Sequence, residues 1–320
     1  MLILNDSDIL RSIDFNELLK SVEEAFLLQE QGEYFMPDRM HMEYKGNTQL
    51  LMPAFAKDYF ATKLVSLFPN NSKLNKPSLY GTVVLNDGHT GEPLALLNGS
   101  RLTALRTAAV GALGLAYTTP KNTESLGLAG AGIQGFNLVL LACAVRTIRR
   151  VAIFDPFHKD LSSFIGSLAA YLTDVELYEV KDAEELVKQS EAIITATTSN
   201  TAVIPDDAIL TDGKHFIGIG SYRPGMQEYP TGMISRIEQI IIDTPLALKE
   251  SGDLAIPLSK GLIQKEQIHT LGKLITGKIN IDESKTTFFK SVGMALFDLL
   301  TAETIYKNAR KYKIGQEVIF

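Results

Sequence analysis

The chain has 320 residues, 45% of them hydrophobic, and carries a formal net charge of −6 at pH 7. This length is enough to bury sizeable cores and favours two domains. A small negative charge without a long run of one sign excludes the electrostatic attraction that nucleic acid or an anionic membrane surface requires, so we expect neither partner.

The sequence also predicts a cytoplasmic location. The first residues, MLILNDSDIL, have no basic region ahead of their apolar side chains, which is unlike a secretory signal peptide. No apolar run reaches the length that spans a bilayer. The single cysteine, Cys143, excludes an internal disulfide, which agrees with a reducing compartment.

The first third of the chain predicts an α+β domain. Residues 7–31 have apolar side chains near the 3.6-residue period, with Asp14 as an internal cap, and predict a helix. The segments MHMEY, NTQLLMP and FATKLVSLFP and the hairpin YGTVVLND/PLALLNG predict antiparallel strands. Residues 102–116 predict another helix, which ends at TTPKNTES, where we place a domain boundary.

From Ser125 onwards, short apolar strands alternate with helices. The strands read SLGLAG, VAIFD, VELYEV, AIITAT, FIGIG and QIIID. This alternation is typical of an α/β fold in which a doubly wound, Rossmann-type parallel sheet is covered on both faces. Residues 286–313 then predict one long amphipathic helix, which we expect to pack back on the first domain.

The segment GAGIQG predicts a dinucleotide-binding loop, because it directly follows the strand SLGLA and opens a helix. Gly130 allows the tight turn, Gly132 lets the pyrophosphate approach the backbone, and Gly135 lets helix and strand pack closely. The amino terminus of the helix offers free N–H groups and the positive end of its dipole to phosphates. We assign Ile133 and Gln134 of the loop to the same site.

Asp155 indicates which dinucleotide is bound. It ends the next strand, VAIFD, and follows Gly135 by twenty residues, where a carboxylate accepts hydrogen bonds from both ribose hydroxyls. The carboxylate would repel a 2′-phosphate, so NAD is favoured over NADP. His158 and Lys159 are the neighbouring cations that oppose this preference.

Six blocks of the sequence, in order, resemble the ornithine cyclodeaminase/μ-crystallin family across nearly the whole chain. The blocks are LLMPAF with TKLVSLFP, LNDGHTGEPLALLNG, LTALRTAAV, GAGIQG, ESGD and KSVGMALFD. The resemblance implies a nicotinamide domain inserted into a substrate domain that forms a homodimer. We therefore expect residues 1–117 and 293–320 to form the substrate-binding and dimerisation domain, and residues 118–292 the NAD-binding domain.

The resemblance further implies that Arg39, Lys63 and Arg106 hold the carboxylate of an amino or imino acid. Guanidinium groups suit this task because they bind carboxylates bidentately. Lys63 has apolar neighbours, and desolvation lowers the pKa of a lysine towards the range useful for proton transfer. We assign catalysis to Lys63, with Arg106, and to Tyr222 as a second, phenolic proton donor.

Further residues are assigned to the cofactor. TATTSN resembles the nicotinamide-side loop of the family, the threonine next to Arg106 is placed to bond a pyrophosphate oxygen, and the start of the last block resembles part of the cofactor pocket. We find no spacing of His, Cys, Asp and Glu that is typical of a metal site, so no metal is expected. The additional cofactor residues are Thr107, Thr195, Ala196, Thr197, Lys290 and Ser291.

Two departures from the family pattern bear on the reaction. In the ornithine cyclodeaminases an acid precedes the LMP triplet, and another lies two residues after the glycine of the block that reads GSYRPGMQE in this chain. The two positions hold Leu50 and Tyr222. An acid there would pair with the second ammonium of ornithine and handle protons during amine attack, so its loss argues against cyclodeamination.

We therefore expect NAD(H)-dependent hydride transfer between nicotinamide C4 and the α-carbon of a small amino or imino acid. The enzyme would be an amino-acid dehydrogenase or a reductase of cyclic imino acids. One alternative is an ornithine cyclodeaminase with catalytic NAD, in which Asp38, Glu43 or Glu228 supplies the missing charge. The other is a non-catalytic dinucleotide-binding protein, like the lens relatives of the family.

Overall fold

The computed structural model describes residues 1–158 and 160–319, so Lys159 lies outside the described residues. The chain forms two compact units, Met1–Arg106 with Met294–Phe320, and Thr107–Gly293. The division falls inside a helix, Gly99–Thr118, and the boundary predicted at residues 117 and 118 lies at the end of the same helix. The roles assigned to the two domains stay predictions.

The elements follow one another along the chain as strands β1 to β15 and helices α1 to α12. The strands are β1 (Leu2–Leu4), β2 (Met40–Tyr44), β3 (Asn47–Ala56), β4 (Tyr59–Leu67), β5 (Leu79–Asp87), β6 (Pro93–Asn98), β7 (Ser125–Ala129), β8 (Arg150–Phe154), β9 (Glu176–Glu179), β10 (Ala192–Thr195), β11 (His215–Gly218), β12 (Ile240–Ile242), β13 (Ile268–Thr270), β14 (Thr287–Lys290) and β15 (Gln316–Glu317). The helices are α1 (Asp6–Ser12), α2 (Phe15–Gln31), α3 (Gly99–Thr118), α4 (Ile133–Val145), α5 (Ser162–Ala169), α6 (Ala183–Gln189), α7 (Ala208–Thr211), α8 (Thr231–Ser235), α9 (Ala247–Glu250), α10 (Gly252–Ser259), α11 (Leu271–Ile275) and α12 (Ala295–Tyr312).

The first unit is built on a seven-stranded mixed sheet. Its strand order is β15-β1-β6-β5-β4-β3-β2. Strands β1 and β6 are parallel, and the other neighbouring strands are antiparallel. Helix α12 packs on α2 and on β3 and β4, with the rings of Phe26 and Phe297 meeting edge to face at 4.8 Å between centroids. The core of this unit therefore lies between the sheet and the two long helices.

The predicted helix at residues 7–31 is two helices. Asn5 caps α1, and Asp14 caps α2 by accepting a hydrogen bond from the backbone N–H of Glu17. A side chain that accepts from the N–H three residues later satisfies a donor which a continuous helix would already use. Asp14 is therefore the start of a helix, and the extended backbone of Ile13 separates the two segments.

The second unit is built on an eight-stranded sheet with the order β13-β12-β14-β11-β10-β7-β8-β9. All neighbouring strands are parallel. The strands at the centre are buried on both faces, as a sheet covered by helices requires. This unit and the mixed sheet of the first confirm the predicted fold class.

The prediction of one helix over residues 286–313 is wrong in its first part. Thr287–Lys290 forms the buried strand β14, which pairs with β11 and β12, and helix α12 begins only at Ala295. A threonine followed by two phenylalanines favours a strand. Gly293 lies between the two elements with a φ of 76°, a backbone conformation that turns the chain and that glycine adopts readily.

Arg146 holds the carboxyl-terminal end of α3 within the second unit. Its guanidinium donates hydrogen bonds to the carbonyl oxygens of Ala116, Thr119 and Pro120. The last carbonyl groups of a helix have no partner within the helix and carry the negative end of its dipole. Arg146 thus satisfies the Ala116 carbonyl in the last turn of α3 and the Thr119 and Pro120 carbonyls just after the helix. Within the described part of the chain, no helix combines the length and the hydropathy needed to cross a membrane.

Candidate functional site

Three buried charged side chains meet in the first unit. The Nζ atom of Lys63 lies 2.6 Å from Oδ2 of Asp298, and Nε of Arg106 donates a hydrogen bond to Oδ1 of the same carboxylate at 2.9 Å. The side chains of Lys63 and Asp298 are each 2% exposed, and that of Arg106 is 7% exposed. Two cations therefore share one carboxylate, which leaves this cluster with a net positive charge while Lys63 is protonated.

The local structure places each member of the cluster inwards. Strand β4 lies between β3 and β5, and its side chains alternate, so Lys63 lies on the same buried face as Ala61 and Val65. Arg106 projects from α3, and Asp298 from the first turn of α12 among buried apolar residues. A lysine on the core face of a sheet is costly unless it is paired, and Asp298 supplies the partner.

The burial of Lys63 changes its acidity. Desolvation by burial and the positive charge of Arg106 lower the pKa of Lys63 from 10.5 to about 7, although the Asp298 carboxylate raises it. Arg39 lies near enough that its charge also lowers the pKa of Lys63. Burial alone would raise the pKa of Asp298, but the charges of Arg106 and Lys63 hold it below its usual value. Lys63 can thus exchange a proton near neutral pH.

Asp298 is the member of this cluster that the sequence analysis missed. It ends the block KSVGMALFD, but that block was used only for the resemblance. The available signal is an acidic residue in the otherwise apolar stretch Ala295–Leu300, because a buried carboxylate requires a charged or hydrogen-bonding partner. The sequence does not identify that partner.

The glycine loop of the second unit has the geometry of a dinucleotide cradle. Gly130 has a φ of 108°, and a Cβ atom on it would lie 2.7 Å from the carbonyl oxygen of Ala196. A Cβ on Gly135 would overlap the carbonyl oxygen of Gly130. A Cβ on Gly132 would meet open space, and this residue begins α4 without a side-chain cap. The free N–H groups of the helix therefore face a side from which a phosphate can approach.

The sheet topology marks the same place. The chain runs from β7 to β8 and β9 on one side, and then to β10 and β11 on the other side of β7. The loops after β7 and β10 thus flank the point where the strand order reverses, and open α/β sheets bind their ligands there, beyond the carboxyl ends of the strands. The residues present fit a dinucleotide.

Asp155 is held firmly beside this loop. Its Oδ2 accepts from the backbone N–H of Ala131 at 2.7 Å, and its Oδ1 accepts from that of Phe157 at 2.8 Å. His158 Nδ1 lies 3.1 Å from Oδ2. Oδ1 therefore keeps a further lone pair that can accept from a hydroxyl, whereas Oδ2 already faces two partners. The assignment of Asp155 to the ribose stays a prediction.

The other residues assigned to the cofactor lie at different depths. The side chain of Ile133 is exposed and that of Gln134 partly exposed, whereas Thr107 is buried. The Thr195 hydroxyl donates to the Tyr229 hydroxyl, and the Thr197 hydroxyl donates to Glu228. The assignment of these residues to the cofactor stays a prediction.

Lys290 and Ser291 have partners inside the second unit. Lys290 is fully buried, with Nζ at 3.1 Å from Oδ2 of Asp253. The Ser291 hydroxyl donates to Oδ2 of Asp243 at 2.7 Å. The ammonium of Lys290 is therefore engaged by carboxylates, and its assignment to the cofactor pocket stays a prediction that this burial does not favour.

Tyr222 lies in the second unit, in the loop after β11. It is about one-third exposed, and the guanidinium of Arg223 lies 5.5 Å from the centre of its ring. Lys63 and Arg106 are brought together in the first unit through Asp298. The role of Tyr222 in catalysis remains a prediction.

A sequence model of the ornithine cyclodeaminase/mu-crystallin family matches residues 1–313. The chain belongs to this family. The resemblance found from six sequence blocks is thereby confirmed, and the match includes the blocks from both units.

Three similar proteins each match at least 99% of this chain. Delta(1)-pyrroline-2-carboxylate reductase of Bacillus cereus is 30% identical over 100% of both chains. The structure of Thermococcus litoralis Delta(1)-pyrroline-2-carboxylate reductase in complex with NADH and L-proline is 32% identical, has a TM-score of 0.93, and matches 99% of this chain and 100% of that chain. A dimer of an archaeal alanine dehydrogenase with bound NAD is 28% identical, with a TM-score of 0.91 over 100% of this chain and 99% of that chain.

Proposed function

We propose that this chain reduces Δ1-pyrroline-2-carboxylate to proline with NADH. The broader class follows from the family and its relatives: the chain is an NAD(H)-dependent oxidoreductase that acts on the carbon–nitrogen bond of a small amino or imino acid, as expected from the sequence. The observation that carries the proposal is the cluster of Lys63, Arg106 and Asp298. It combines a surplus of positive charge with a lysine that exchanges its proton near pH 7.

The surplus charge suits a substrate with one carboxylate. Asp298 neutralises one of its two cations, so a carboxylate that joins the cluster finds one uncompensated positive charge, and Arg39 adds another nearby. A guanidinium binds a carboxylate through two parallel hydrogen bonds and so fixes its orientation. We assign this task to Arg106 and Arg39.

The proton balance of the reaction gives Lys63 its role. When bound, NADH supplies the hydride that reduces the imine carbon. The ring nitrogen must gain one proton, because an imine accepts hydride readily only when its nitrogen is protonated. We assign this proton to the Lys63 ammonium, and Asp298 holds that ammonium in place at 2.6 Å.

The positions that hold acids in the cyclodeaminases do not favour that reaction here. Leu50 is a buried apolar residue of β3, opposite Val65, and the loop position holds Tyr222. Glu228, considered as a substitute charge, is fully buried and engaged by Lys290. A second ammonium on the substrate would thus lack a carboxylate partner at these positions.

Assays of the purified protein with several substrates distinguish between these reactions. It is offered NADH with Δ1-pyrroline-2-carboxylate, with the six-membered cyclic imino acid, and with pyruvate plus ammonia, and NAD with ornithine, while absorbance and ammonia are followed. We expect the highest kcat/KM with Δ1-pyrroline-2-carboxylate and one NADH consumed per proline formed. Conversion of ornithine into proline and ammonia without net NADH change would overturn the proposal, as would a clear preference for pyruvate plus ammonia.

We also propose that the protein forms a homodimer through the edge of the mixed sheet. Strand β2 is the last strand of that sheet, and Met40, Met42 and Tyr44 occupy alternate positions on it, so their side chains share one face. All three are exposed, as is the nearby Phe35. An exposed apolar edge strand is typical of a protein interface. The archaeal alanine dehydrogenase with a similar fold is a dimer.

A further inference from the structure

A second cluster of buried charges lies in the second unit, and it shares no residue with the Lys63, Arg106 and Asp298 cluster of the first unit. Glu228, Asp253 and Lys290, here called the Glu228 cluster, are each fully buried. The Lys290 Nζ lies 3.1 Å from Oδ2 of Asp253 and 3.9 Å from Oε2 of Glu228. One ammonium thus holds two carboxylates, and neither the proposed proton transfer nor the carboxylate binding uses them.

Glu228 joins two loops through four donors. Its Oε1 accepts from the backbone N–H of Thr197 at 2.7 Å and from the hydroxyl of the same residue at 2.9 Å. Its Oε2 accepts from the backbone N–H of Gly220 at 2.7 Å and of Ser221 at 3.1 Å. An ionised carboxylate offers about four acceptor sites, so this one is fully used.

Asp253 fixes the backbone from which Glu228 projects. Its Oδ1 accepts from the N–H groups of Glu228 at 2.7 Å and of Tyr229 at 3.0 Å. The hydroxyls of Ser221 and Ser251 lie 2.9 Å apart. The block ESGD, which contributed to the family resemblance, therefore anchors the loop between β11 and α8.

These loops lie beyond the carboxyl ends of the strands of the parallel sheet. Thr197 follows β10, Gly220 follows β11, and Lys290 ends β14, so all three lie at the carboxyl ends of neighbouring strands. Gly130, which follows β7, lies so close to Ala196 that a Cβ on it would be 2.7 Å from that carbonyl oxygen. The loop held by Glu228 is therefore next to the pyrophosphate cradle.

The direction of a bound dinucleotide follows from this arrangement. Asp155, after β8, is on one side of β7, and the loops after β10 and β11 are on the other side. With the pyrophosphate at Gly130–Gly135 and the adenosine ribose at Asp155, the nicotinamide half extends over the loops after β10 and β11. Thr197 and Gly220 belong to that part of the surface.

We propose that Glu228 is a positioning residue for the nicotinamide half of the cofactor, acting through the Thr197 loop and the Gly220–Ser221 turn. Lys290 and Asp253 hold it in place. This inference rests on the proposed use of NAD(H), and it gives Lys290 a different role from direct contact with the cofactor.

The chemistry of the cluster supports a geometric role. Removing three charges from water is costly, and a buried ion pair adds little to stability compared with well-packed apolar side chains. Burial and the charge of Asp253 raise the pKa of Glu228, against the charge of Lys290 and the hydrogen bonds from Thr197. The geometry requires the ionised carboxylate, because each of its oxygens accepts from two donors and neither is left to carry a proton. A glutamine at this position has one acceptor oxygen and would direct an N–H₂ group at one of the two loops.

The test compares two ligands that share the adenosine and pyrophosphate groups. The dissociation constants of NADH and of ADP-ribose, which lacks nicotinamide, are measured for the full-length wild type and for Glu228→Gln by calorimetry. We expect NADH binding to weaken about tenfold and ADP-ribose binding to change less than about twofold, since only the nicotinamide loops are displaced. The enhanced fluorescence of bound NADH should fall, and kcat should fall about tenfold or more through misplacement of the ring.

Glu191→Gln is the matched control. The Glu191 carboxylate also accepts from two backbone N–H groups and one hydroxyl, those of Glu124 and Ser125, but at the amino ends of β7 and β10, the opposite end of the sheet from the Glu228 cluster. We expect this variant to bind both ligands like the wild type. If Glu228→Gln does not fold, Asp253→Asn takes its place, because its remaining oxygen can still accept from the two N–H groups.

Three outcomes would overturn the inference. They are an equal loss of affinity for NADH and ADP-ribose, unchanged NADH affinity and fluorescence, and an effect of Glu191→Gln as selective as that of Glu228→Gln. The proposed reaction is judged separately. If the wild type binds NADH but reduces no imino acid, the proposed function fails, whereas a selective loss of NADH binding still supports the positioning role.

Discussion

The protonation state of Lys63, in the cluster with Arg106 and Asp298, should make the reaction rate depend on pH. Reduction needs its ammonium form, which is present below a pKa of about 7 and is lost above it. We therefore expect kcat/KM for imine reduction to fall about tenfold per pH unit above pH 7, and the reverse oxidation to rise over the same range. Initial rates measured between about pH 5.5 and about pH 9.5 check this, after correction for the ionisation of the imine itself.

Variants of the cluster test the assignment. Lys63→Met should lower kcat by about a hundredfold or more, because the proton donor is lost. It should also remove the descending limb of the pH–rate profile that begins near pH 7. Asp298→Asn should move that limb to lower pH, since the Asp298 carboxylate raises the pKa of Lys63. A limb that stays at the same pH in Asp298→Asn would contradict the proposed coupling of the two groups.

Asp155 sets the expected preference between NADH and NADPH. Asp155→Ala removes the carboxylate that would accept from the ribose hydroxyls and repel a 2′-phosphate, so we expect the Kd for NADH to rise about tenfold while that for NADPH falls. Fluorescence titration of both cofactors measures this. An unaltered affinity for NADH would show that the carboxylate serves only the loop N–H groups of Ala131 and Phe157.

His215 predicts how acid affects folding. Burial lowers its pKa from 6.5 to about 4, and its Nδ1 lies 3.0 Å from the Thr287 hydroxyl. Because the pKa is lower in the folded state, the unfolded chain takes up the proton first as the pH falls. The contribution of neutral His215 to the free energy of unfolding, on the order of 3 kcal/mol, is thus fully present above pH 6.5 and is lost as the pH falls to about 4. Urea denaturation of the wild type and His215→Gln at several pH values measures this contribution, which the variant should lack.

At the scale of elements, Arg146 makes a larger contribution to stability than a surface arginine. It donates to carbonyl oxygens at the end of α3, so Arg146→Ala should lower the free energy of unfolding by about 2 kcal/mol. Arg149→Ala is the control, because Arg149 pairs at 2.9 Å with the exposed Glu124 and such pairs contribute about 0–1 kcal/mol. Equal losses in urea denaturation would contradict this role of Arg146.

For the whole molecule, the edge strand β2 predicts the oligomeric state. We expect a dimer in sedimentation equilibrium, and a monomer when Met40 and Met42 are both replaced by lysine, since the charges are costly to bury in an apolar interface. Ile209→Lys is the control, because Ile209 is another exposed apolar residue, on α7 of the second unit. A Met40→Lys/Met42→Lys variant that remains dimeric would show that the interface lies elsewhere.

The family, the fold class, the class of enzyme and the cofactor could all be predicted from the amino-acid sequence. These features depend on residues that are close together in the chain: the glycine spacing after β7, the alternation of strands and helices, and short ordered blocks. A turn that only glycine can adopt, such as that at Gly130, leaves a direct mark in the sequence. Local chemistry is sufficient for such features.

The tertiary structure alone decided which buried charges meet. Lys63 and Asp298 come from opposite parts of the chain, and Glu228 and Lys290 come from separate elements of the second unit, yet both pairs are in contact. It also decided that Thr287–Lys290 is a strand. A short apolar segment is compatible with a buried strand or a helix, and here it pairs with β11 and β12 and so lies between them. A buried charge is costly in free energy unless it has a partner, and only the packing of the folded chain determines which residue becomes that partner.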